Sequence, residues 1–391
     1  MKLCYYSPTY PDLTGSGGIG TYTKLLAEQL VKVGHAVFVI TPSTLNRQTT
    51  INGVEVHEVC FPPSFKVEYF LPGLTRSLFV YRYLRRLVLD KHIDCVEFPN
   101  WDGVGWIFAV LSKVPTVVRL STSSKEAGEI DGTTNTKLVR SDIRRERWQS
   151  RWATHLVTHS QCHAALMSNE LGSLKKEISL IPLGIKIDRG RLPKVAPFNQ
   201  RLLSVGRLEN RKGTYDLLQA LRLVIDVYPE CKLVLLGDDR EHAPGGRSFR
   251  QYVSETFEPD YKRCIEFISK GTDAQLAEAY ANADIFVAPS HYESFGLMNV
   301  EAMSFKLPVV STFAGAIPEV VLHEKTGLLV PPASPNLLAT EIIRLFESAS
   351  LREKLGNAGF ERAQKLYSVE VFADQMANLY SSLMQRNGLG A

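Results

Sequence analysis

Along this chain, short apolar runs alternate with longer stretches whose apolar positions recur every three or four residues. Residues 3–7 read as a first strand, and Leu25, Leu26, Leu30 and Val33 put one apolar face on a helix that ends at Gly34-His35. Residues 36–40 form the next strand. Between first strand and helix lies 11–20, rich in turn residues and containing Gly17-Gly18-Ile19-Gly20. Strand, glycine-rich loop, helix and strand make the opening unit of a doubly wound sheet. The same pattern predicts strands at 54–59, 94–98, 116–120, 155–159 and 178–181, with helices over 74–89, 104–111, 137–152 and 162–171.

After Leu183-Gly184 the pattern stops for a polar stretch, 186–200, that carries Pro193 and Pro197 and reads as an interdomain linker. A second strand–loop–helix start follows: 201–205, then Gly206-Arg207-Leu208-Glu209-Asn210-Arg211-Lys212-Gly213, then a helix through Leu217, Leu218, Leu221 and Val224. Residues 232–236 form a strand ending at Gly237-Asp238-Asp239. The polar run 240–263 reads as an irregular surface insertion. Alternation resumes at Ile265. The strand 285–288 leads into Pro289-Ser290-His291-Tyr292-Glu293-Ser294-Phe295-Gly296, after which Leu297, Val300, Ala302 and Met303 define a buried helix. Another strand, 308–311, precedes Ala314-Gly315-Ala316-Ile317-Pro318-Glu319, and three helices close the chain near 335–348, 351–366 and 369–385. The prediction is an α/β protein of two doubly wound, Rossmann-like domains, 1–185 and 199–368, with 369–391 a final helix. Their loop-bearing edges would face each other across a cleft.

Length and composition suit that reading. At 391 residues, 45% hydrophobic and 22% charged, the chain can bury two cores. No apolar run approaches the ~18–20 residues of a membrane span, and the N-terminus shows no signal-peptide pattern. Six scattered cysteines without a CxxC pair fit reduced, mostly buried thiols, so the expected location is cytoplasmic. Charge is uneven: 21 basic against 16 acidic side chains up to Gly184, and 24 against 25 beyond it. The basic clusters at 81–86 and 140–151 suit a solvated helix face, or a peripheral contact with the inner face of an anionic membrane. No nucleic-acid motif accompanies them, so nucleic acid is not an expected partner.

Candidate chemistry gathers at loops that leave strands. The main-chain amides of Phe295, Gly296 and Leu297 stand at a helix N-terminus, where unpaired donors and the helix dipole favour an anion such as phosphate. Gly15, Gly17 and Gly20 have the G-x-G-x-x-G spacing, but no acid follows the second strand, so a nicotinamide fingerprint is incomplete and is not expected. In an open parallel sheet ligands bind beyond the carboxyl ends of strands. This marks Asn100-Trp101 and Ser121-Thr122-Ser123-Ser124 as further candidates, with an aromatic and an amide suited to a sugar-like acceptor.

Taken together, the Gly17–Gly20 loop, the 205–213 segment, the acids Glu293 and Glu301, the 314–319 segment and Thr326-Gly327-Leu328-Leu329-Val330 resemble the retaining glycosyltransferases of the GT-B fold, family 4 type. The resemblance spans nearly the whole chain. It implies transfer of a sugar from a nucleotide-diphospho-sugar, with UDP or GDP the expected carrier, to a hydroxyl of a saccharide, lipid or small metabolite. By the resemblance, Arg207 and Lys212 meet the diphosphate charge, Glu293 sits at the donor sugar, and Glu301 accepts hydrogen bonds from the ribose. Gly17, Gly18, Gly206, Ser294, Phe295, Gly296 and Leu297 would line the donor. Residues 267–270 would frame the base, and the final helix would cross back to the first domain. Asn100, Trp101, Arg119 and Ser121 are the acceptor-side candidates.

No two aspartates are separated by one residue anywhere in the chain. The D-x-D motif of metal-dependent transferases is therefore missing, and no cofactor or metal is expected; cations and amides would take up the charge of the leaving group. Two departures from relatives stand out. Ser121 occupies a position where many carry histidine, which puts a histidine role on the acceptor side in doubt, and Ala316 replaces a frequent glycine. A nucleotide-sugar 2-epimerase, a phosphorylase or a non-catalytic sugar-nucleotide binder on the same fold are the alternatives.

Overall fold

The computed structural model describes residues 1–11, 13–14, 17–61, 73–130, 134–172, 176–187, 198–239, 241–269 and 271–386. Most of the expected linker, 188–197, lies outside the described residues. The chain divides into two compact units, Met1–Lys186 with Val369–Ala391, and Ile187–Ser368.

In the first unit β1 (Lys2–Tyr6), β2 (Ala36–Ser43), β3 (Arg47–Ile51), β4 (Val54–Cys60), β5 (Cys95–Pro99), β6 (Thr116–Arg119), β7 (His155–Thr158) and β8 (Ile178–Leu180) make one sheet. Its order is β3-β4-β2-β1-β5-β6-β7-β8. All pairings are parallel except β3 with β4, a hairpin closed by Asn52-Gly53 with φ of 49° and 83°. Positive φ at both central residues suits the turn to the twist of its strands. The helices between strands are α1 (Gly18–Lys32), α2 (Leu74–Lys91), α3 (Trp106–Leu111), α4 (Ser124–Ile130), α5 (Lys137–Trp152) and α6 (Gln161–Leu171). Neither β3 nor α4 shows in the hydrophobic pattern, because β3 is a polar edge strand and α4 a short polar helix.

The second unit has the strands β9 (Arg201–Val205), β10 (Lys232–Leu236), β11 (Ile265–Ile268), β12 (Ile285–Ala288), β13 (Val309–Thr312) and β14 (Leu328–Val330). They are all parallel, in the order β11-β10-β9-β12-β13-β14. Its helices are α7 (Thr214–Val227), α8 (Phe249–Thr256), α9 (Pro259–Lys262), α10 (Asp273–Ala281), α11 (Leu297–Ser304), α12 (Ile317–Val320), α13 (Pro335–Glu347) and α14 (Ala349–Leu366). Leu202, Leu217, Leu221, Leu233, Ile285, Val310 and Ile342 are buried together in one core.

The expectation of an irregular insertion over 240–263 is wrong. Two helices occupy half of it, and Phe249, Tyr252, Val253, Phe257 and Tyr261 are buried in the main core. Their i, i+3, i+4 spacing is helical; the arginines and acids between them, on the outer face, mask it.

The last helix, α15 (Val369–Arg386), belongs to the first unit and packs on α1. Phe372, Met376, Tyr380 and Leu383 are buried, each contributing about 1.5–3 kcal/mol if fully removed from water. Tyr380 donates a hydrogen bond to Glu97 Oε2 at 2.5 Å and accepts one from Tyr5 at 3.0 Å.

In both sheets the chain winds outward from one strand and then returns to wind the other way. The order reverses between β1 and β5 in the first unit and between β9 and β12 in the second. Loops leaving the carboxyl ends of those strands flank the crevice where open α/β sheets bind ligands.

Candidate active site

In the second unit the loops after β9 and β12 are interlocked. The His291 amide donates to the Arg211 carbonyl at 2.8 Å, and Arg211 Nη1 donates to the Tyr292 carbonyl at 3.2 Å. Gly213 has φ +69°, and a Cβ there would collide with the Pro289 carbonyl. Glycine is therefore required both by backbone conformation and by the approach of the second loop.

Glu293 is the buried centre of this arrangement. Its Oε1 pairs with Lys212 Nζ and accepts the Ser290 hydroxyl at 3.0 Å, and Arg211 Nη1 stands 4.0 Å from Oε2. Burial alone would raise the pKa of Glu293. Lys212 and Arg211, with hydrogen bonds from Lys212 and Ser290, outweigh it and hold the carboxylate below its ordinary value. The main chain of Glu293 is fixed as well: Ala316 N donates to its carbonyl at 2.9 Å, and a Cβ on Gly315 (φ +53°) would strike that same oxygen. The 314–319 segment thus serves as a backbone clamp on Glu293.

Charges alternate outward from there. Arg211 pairs with Glu209 at 2.8 Å, and Arg207, about half exposed, reaches the same carboxylate at 3.4 Å. Gly206 opens the space beside them: a Cβ on it would lie 3.7 Å from Met298 Cε and 4.0 Å from Lys212 Cε. Lys212, Gly206 and the first turn of α11 therefore share one locality. Gly296, at φ +85°, turns the chain into α11. Ser294 and Leu297 are partly exposed, whereas the Phe295 ring is buried edge-on against Tyr367.

Glu301, on the second turn of α11, accepts the Tyr280 hydroxyl at 2.8 Å. Burial, with Asp273 nearby, pushes its pKa up to about 7 against that hydrogen bond. Beside Gly206 and Gly237 lies a cavity of about 210 Å³ lined by Leu208, Asp238, Arg250, Phe267, Ile268 and Ser269. Three of the four residues expected to frame a base thus line a cavity, and Lys270 lies outside the described residues.

In the first unit Gly17 is the N-cap of α1, and a Cβ on Gly18 would meet nothing within 4 Å. Gly20 is the glycine that packing demands, since its Cβ would fall 2.6 Å from Thr9 Oγ1. Two acceptor-side expectations need correction. Arg119 is fully buried: its Nε donates to Glu97 at 2.9 Å, its Nη2 to Met376 Sδ at 2.7 Å, and its guanidinium lies 5.0 Å from the Phe372 ring centre. It braces α15 and does not face a substrate. Asn100 is also buried, its amide bonded to Ser121 through the carbonyl (3.0 Å), amide nitrogen (2.9 Å) and hydroxyl (2.9 Å). Asn100 and Ser121 therefore fasten two loops together, while Trp101 remains 39% exposed. Asn100 itself lines a second cavity, of about 130 Å³, together with Ser123, Lys125, Glu146, Arg147 and Glu170, so it stays on that side as a buried wall while Arg119 does not.

Sequence reasoning missed Arg211, Ser290 and Tyr280. Arg211 lies in the same basic cluster as Lys212 and could have been included. Ser290 and Tyr280 carry no sequence signal, because only the fold brings them to the two glutamates.

Each unit is a doubly wound sheet, and at the switch point of the second sheet, one exposed and two partly buried cations stand around the buried carboxylates of Glu209 and Glu293. Two family descriptions match in tandem, Glycosyltransferase Family 4 over residues 16–189 and Glycosyl transferases group 1 over residues 194–362. The chain is 26% identical to the D-inositol 3-phosphate glycosyltransferase of Corynebacterium jeikeium, covering 98% of this chain and 96% of that protein. In structure it is similar to sucrose-phosphate synthase from Thermosynechococcus elongatus, with a TM-score of 0.78, 22% identity and coverage of 98% and 99%. It is also similar to Anabaena HepE in complex with UDP-glucose, with a TM-score of 0.74, 18% identity and coverage of 98% and 100%. The chain belongs to the glycosyltransferases of the GT-B fold, family 4 type, and is an enzyme of that class.

Proposed function

We propose that the enzyme moves a sugar from a nucleotide-diphospho-sugar to a hydroxyl acceptor with retention of anomeric configuration and without a divalent metal. The observation that carries this reading is the pairing of Arg211 and Lys212 with Glu293, with Arg207 held next to them by Glu209, beside the N-terminus of α11. In the reaction the acceptor oxygen bonds to the anomeric carbon while the bond from that carbon to the phosphate oxygen breaks. The electron pair leaves with the diphosphate, which takes the acceptor proton. Negative charge grows on the departing oxygens, and Arg207, Lys212 and the first-turn amides of α11 are fixed donors that stabilise it. Fixed charge of this kind acts on the transition state, whereas tight donor binding alone would not speed the step.

Glu293, kept ionised by its partners, orients the donor sugar. Glu301 takes the ribose hydroxyls, and the cavity at Phe267–Ser269 takes the base. The UDP-glucose held by the Anabaena relative supports a UDP-sugar donor. Hydroxyl acceptors are served by the first unit, where Trp101 and the cavity at Ser123, Lys125 and Glu170 offer stacking and hydrogen bonds. The proposed location is the cytoplasm, with peripheral contact at the inner face of a membrane.

A donor panel tests the reading. UDP-, GDP-, ADP- and dTDP-sugars are offered with candidate acceptors, and diphosphate release and product anomer are followed with and without chelator. Product of inverted configuration, or turnover that chelator abolishes and manganese restores, overturns it.

A further inference from the structure

Helix α5 is inside out. Its buried face is polar, with Ser141, Arg145, Glu146, Gln149 and Ser150. Gln149 accepts from Gly105 N at 2.6 Å and donates to the Pro99 carbonyl at 2.7 Å; Glu146 accepts from Asp102 N at 3.1 Å and the Ser124 hydroxyl at 2.5 Å. Arg145 donates to the Asp102 carbonyl at 2.9 Å. The polar face thus holds the loop after β5 and the start of α4, and every one of these residues has a structural task.

The outer face is different. Arg140, Arg144, Arg147 and Arg151 recur at i, i+4, i+7 and i+11, all exposed, and none forms an ion pair among the described residues; Arg147 also lines the cavity at Ser123 and Glu170, which leaves Arg140, Arg144 and Arg151 with no structural task. Along the edge of that stripe run Trp148 and Trp152, 50% and 54% exposed. Trp148 packs on Trp106 of α3 at 5.1 Å, which continues the apolar margin to the exposed Val110 and Leu111. The acids of α5, Asp142 and Glu146, lie on the inner side, so nothing on the helix itself offsets the outer charge.

We infer that this outer face of α5 is a docking surface for an anionic lipid bilayer. Arginines in a row meet headgroup phosphates and acidic lipid. Amphipathic indole rings suit the headgroup boundary, and aliphatic side chains such as Val110 and Leu111 gain from leaving water there. A soluble polyanion would reward the arginines but not the exposed aliphatic margin, so charge and apolar surface together favour a membrane. This gives the peripheral contact a definite address on the molecule, and it does not depend on the transfer reaction.

The test is cosedimentation of the full chain with phosphatidylcholine vesicles, with and without phosphatidylserine. Binding is expected only with phosphatidylserine and should weaken as salt is raised. Arg140→Gln/Arg144→Gln/Arg151→Gln should lower partitioning about a hundredfold, at ~1 kcal/mol per arginine. Trp148→Gln/Trp152→Gln should lower it about tenfold and abolish the blue shift of tryptophan emission on binding. Unchanged melting temperatures identify variants that fold, and Trp152→Gln alone serves if the pair does not. Wild type that ignores phosphatidylserine, or variants that fold and bind like wild type, would overturn the inference. Vesicle binding that survives only as a charge effect, with heparin bound equally well and no dependence on the tryptophans, would assign the face to a soluble polyanion instead. Transfer to a soluble acceptor is assayed on the same preparations: wild type that turns over fully but does not dock sinks this inference alone, and wild type that docks without turnover sinks only the proposed reaction.

Discussion

Replacing Glu301 with glutamine keeps an acceptor for the Tyr280 hydroxyl but removes a carboxylate that its surroundings disfavour. Its pKa rises from 4.5 to about 7 on folding. At ~1.4 kcal/mol for each pH unit, the ionised form costs the ligand-free unit ~3 kcal/mol, and about 2 kcal/mol once its partial exposure is allowed for. Between those two pH values the folded unit holds a proton that the unfolded chain has released, so stability falls as pH rises through the window and levels off above about pH 7. Glu301→Gln lacks this slope. Denaturant unfolding of the second unit should show the variant about 2 kcal/mol more stable than wild type near pH 8, with little difference near pH 5. The same change should weaken nucleoside diphosphate binding by calorimetry about ten- to a hundredfold, the value of charge-assisted hydrogen bonds of ~1.5–3 kcal/mol. Wild-type affinity should also decline below about pH 7. A variant no more stable than wild type near pH 8, with undiminished nucleotide affinity, would refute both the burial argument and the ribose role.

Other substitutions separate chemistry from architecture. Lys212→Met should lower kcat about a hundredfold or more while the donor KM changes much less, read by steady-state kinetics; equal turnover would remove it from the mechanism. Glu293→Ala should abolish transfer and leave nucleotide binding largely intact by calorimetry, although the variant also frees Lys212. Arg119→Met strands the buried Glu97 and should cost the first unit about 3–5 kcal/mol in denaturant unfolding, with the second unit's transition unmoved. Gly315→Ala forces positive φ on a side chain that strikes the Glu293 carbonyl, so turnover should drop well before the melting temperature does.

The two sheets were legible because most of their parallel strands, buried on both faces, are continuous apolar runs such as 233–236 and 285–288. Glycine positions were legible for the same physical reason that makes them necessary: Gly213, Gly296 and Gly315 adopt positive φ where loops meet. Two elements had signals that went unused. Asn52-Gly53 is a hairpin turn pair that marks β3, and the Phe249, Tyr252, Val253 spacing marks α8. The acceptor side was least legible. An arginine after a strand looks like a ligand contact in sequence, but Arg119 points under α15, a helix that follows more than 200 residues later. Such long-range burial leaves no local trace. Asn100 likewise proves to be a loop fastener because its partner, Ser121, comes from the next strand's end.

The substitution of Ser121 for a common histidine takes on a different meaning in that light. Its hydroxyl and amide are both committed to Asn100, and the buried amide of Asn100 bonds to Ser121 in return. A histidine there would be too large for this closed pair and would have to turn outward, exposing a ring that can carry charge. Serine instead closes the loop onto β5 and leaves the adjoining cavity to Lys125 and Glu170, which pair at 3.5 Å. Burial raises the pKa of Glu170 against the pull of Lys125, with Glu126 adding to the rise. Polar character beside Ser121 comes instead from Lys125 of α4 and Glu170 of α6, an ion pair that a bound acceptor would have to join or separate. An acceptor carrying its own charge would compete with that pair, whereas neutral hydroxyls could join it, so the local chemistry favours an uncharged polyol face on the acceptor.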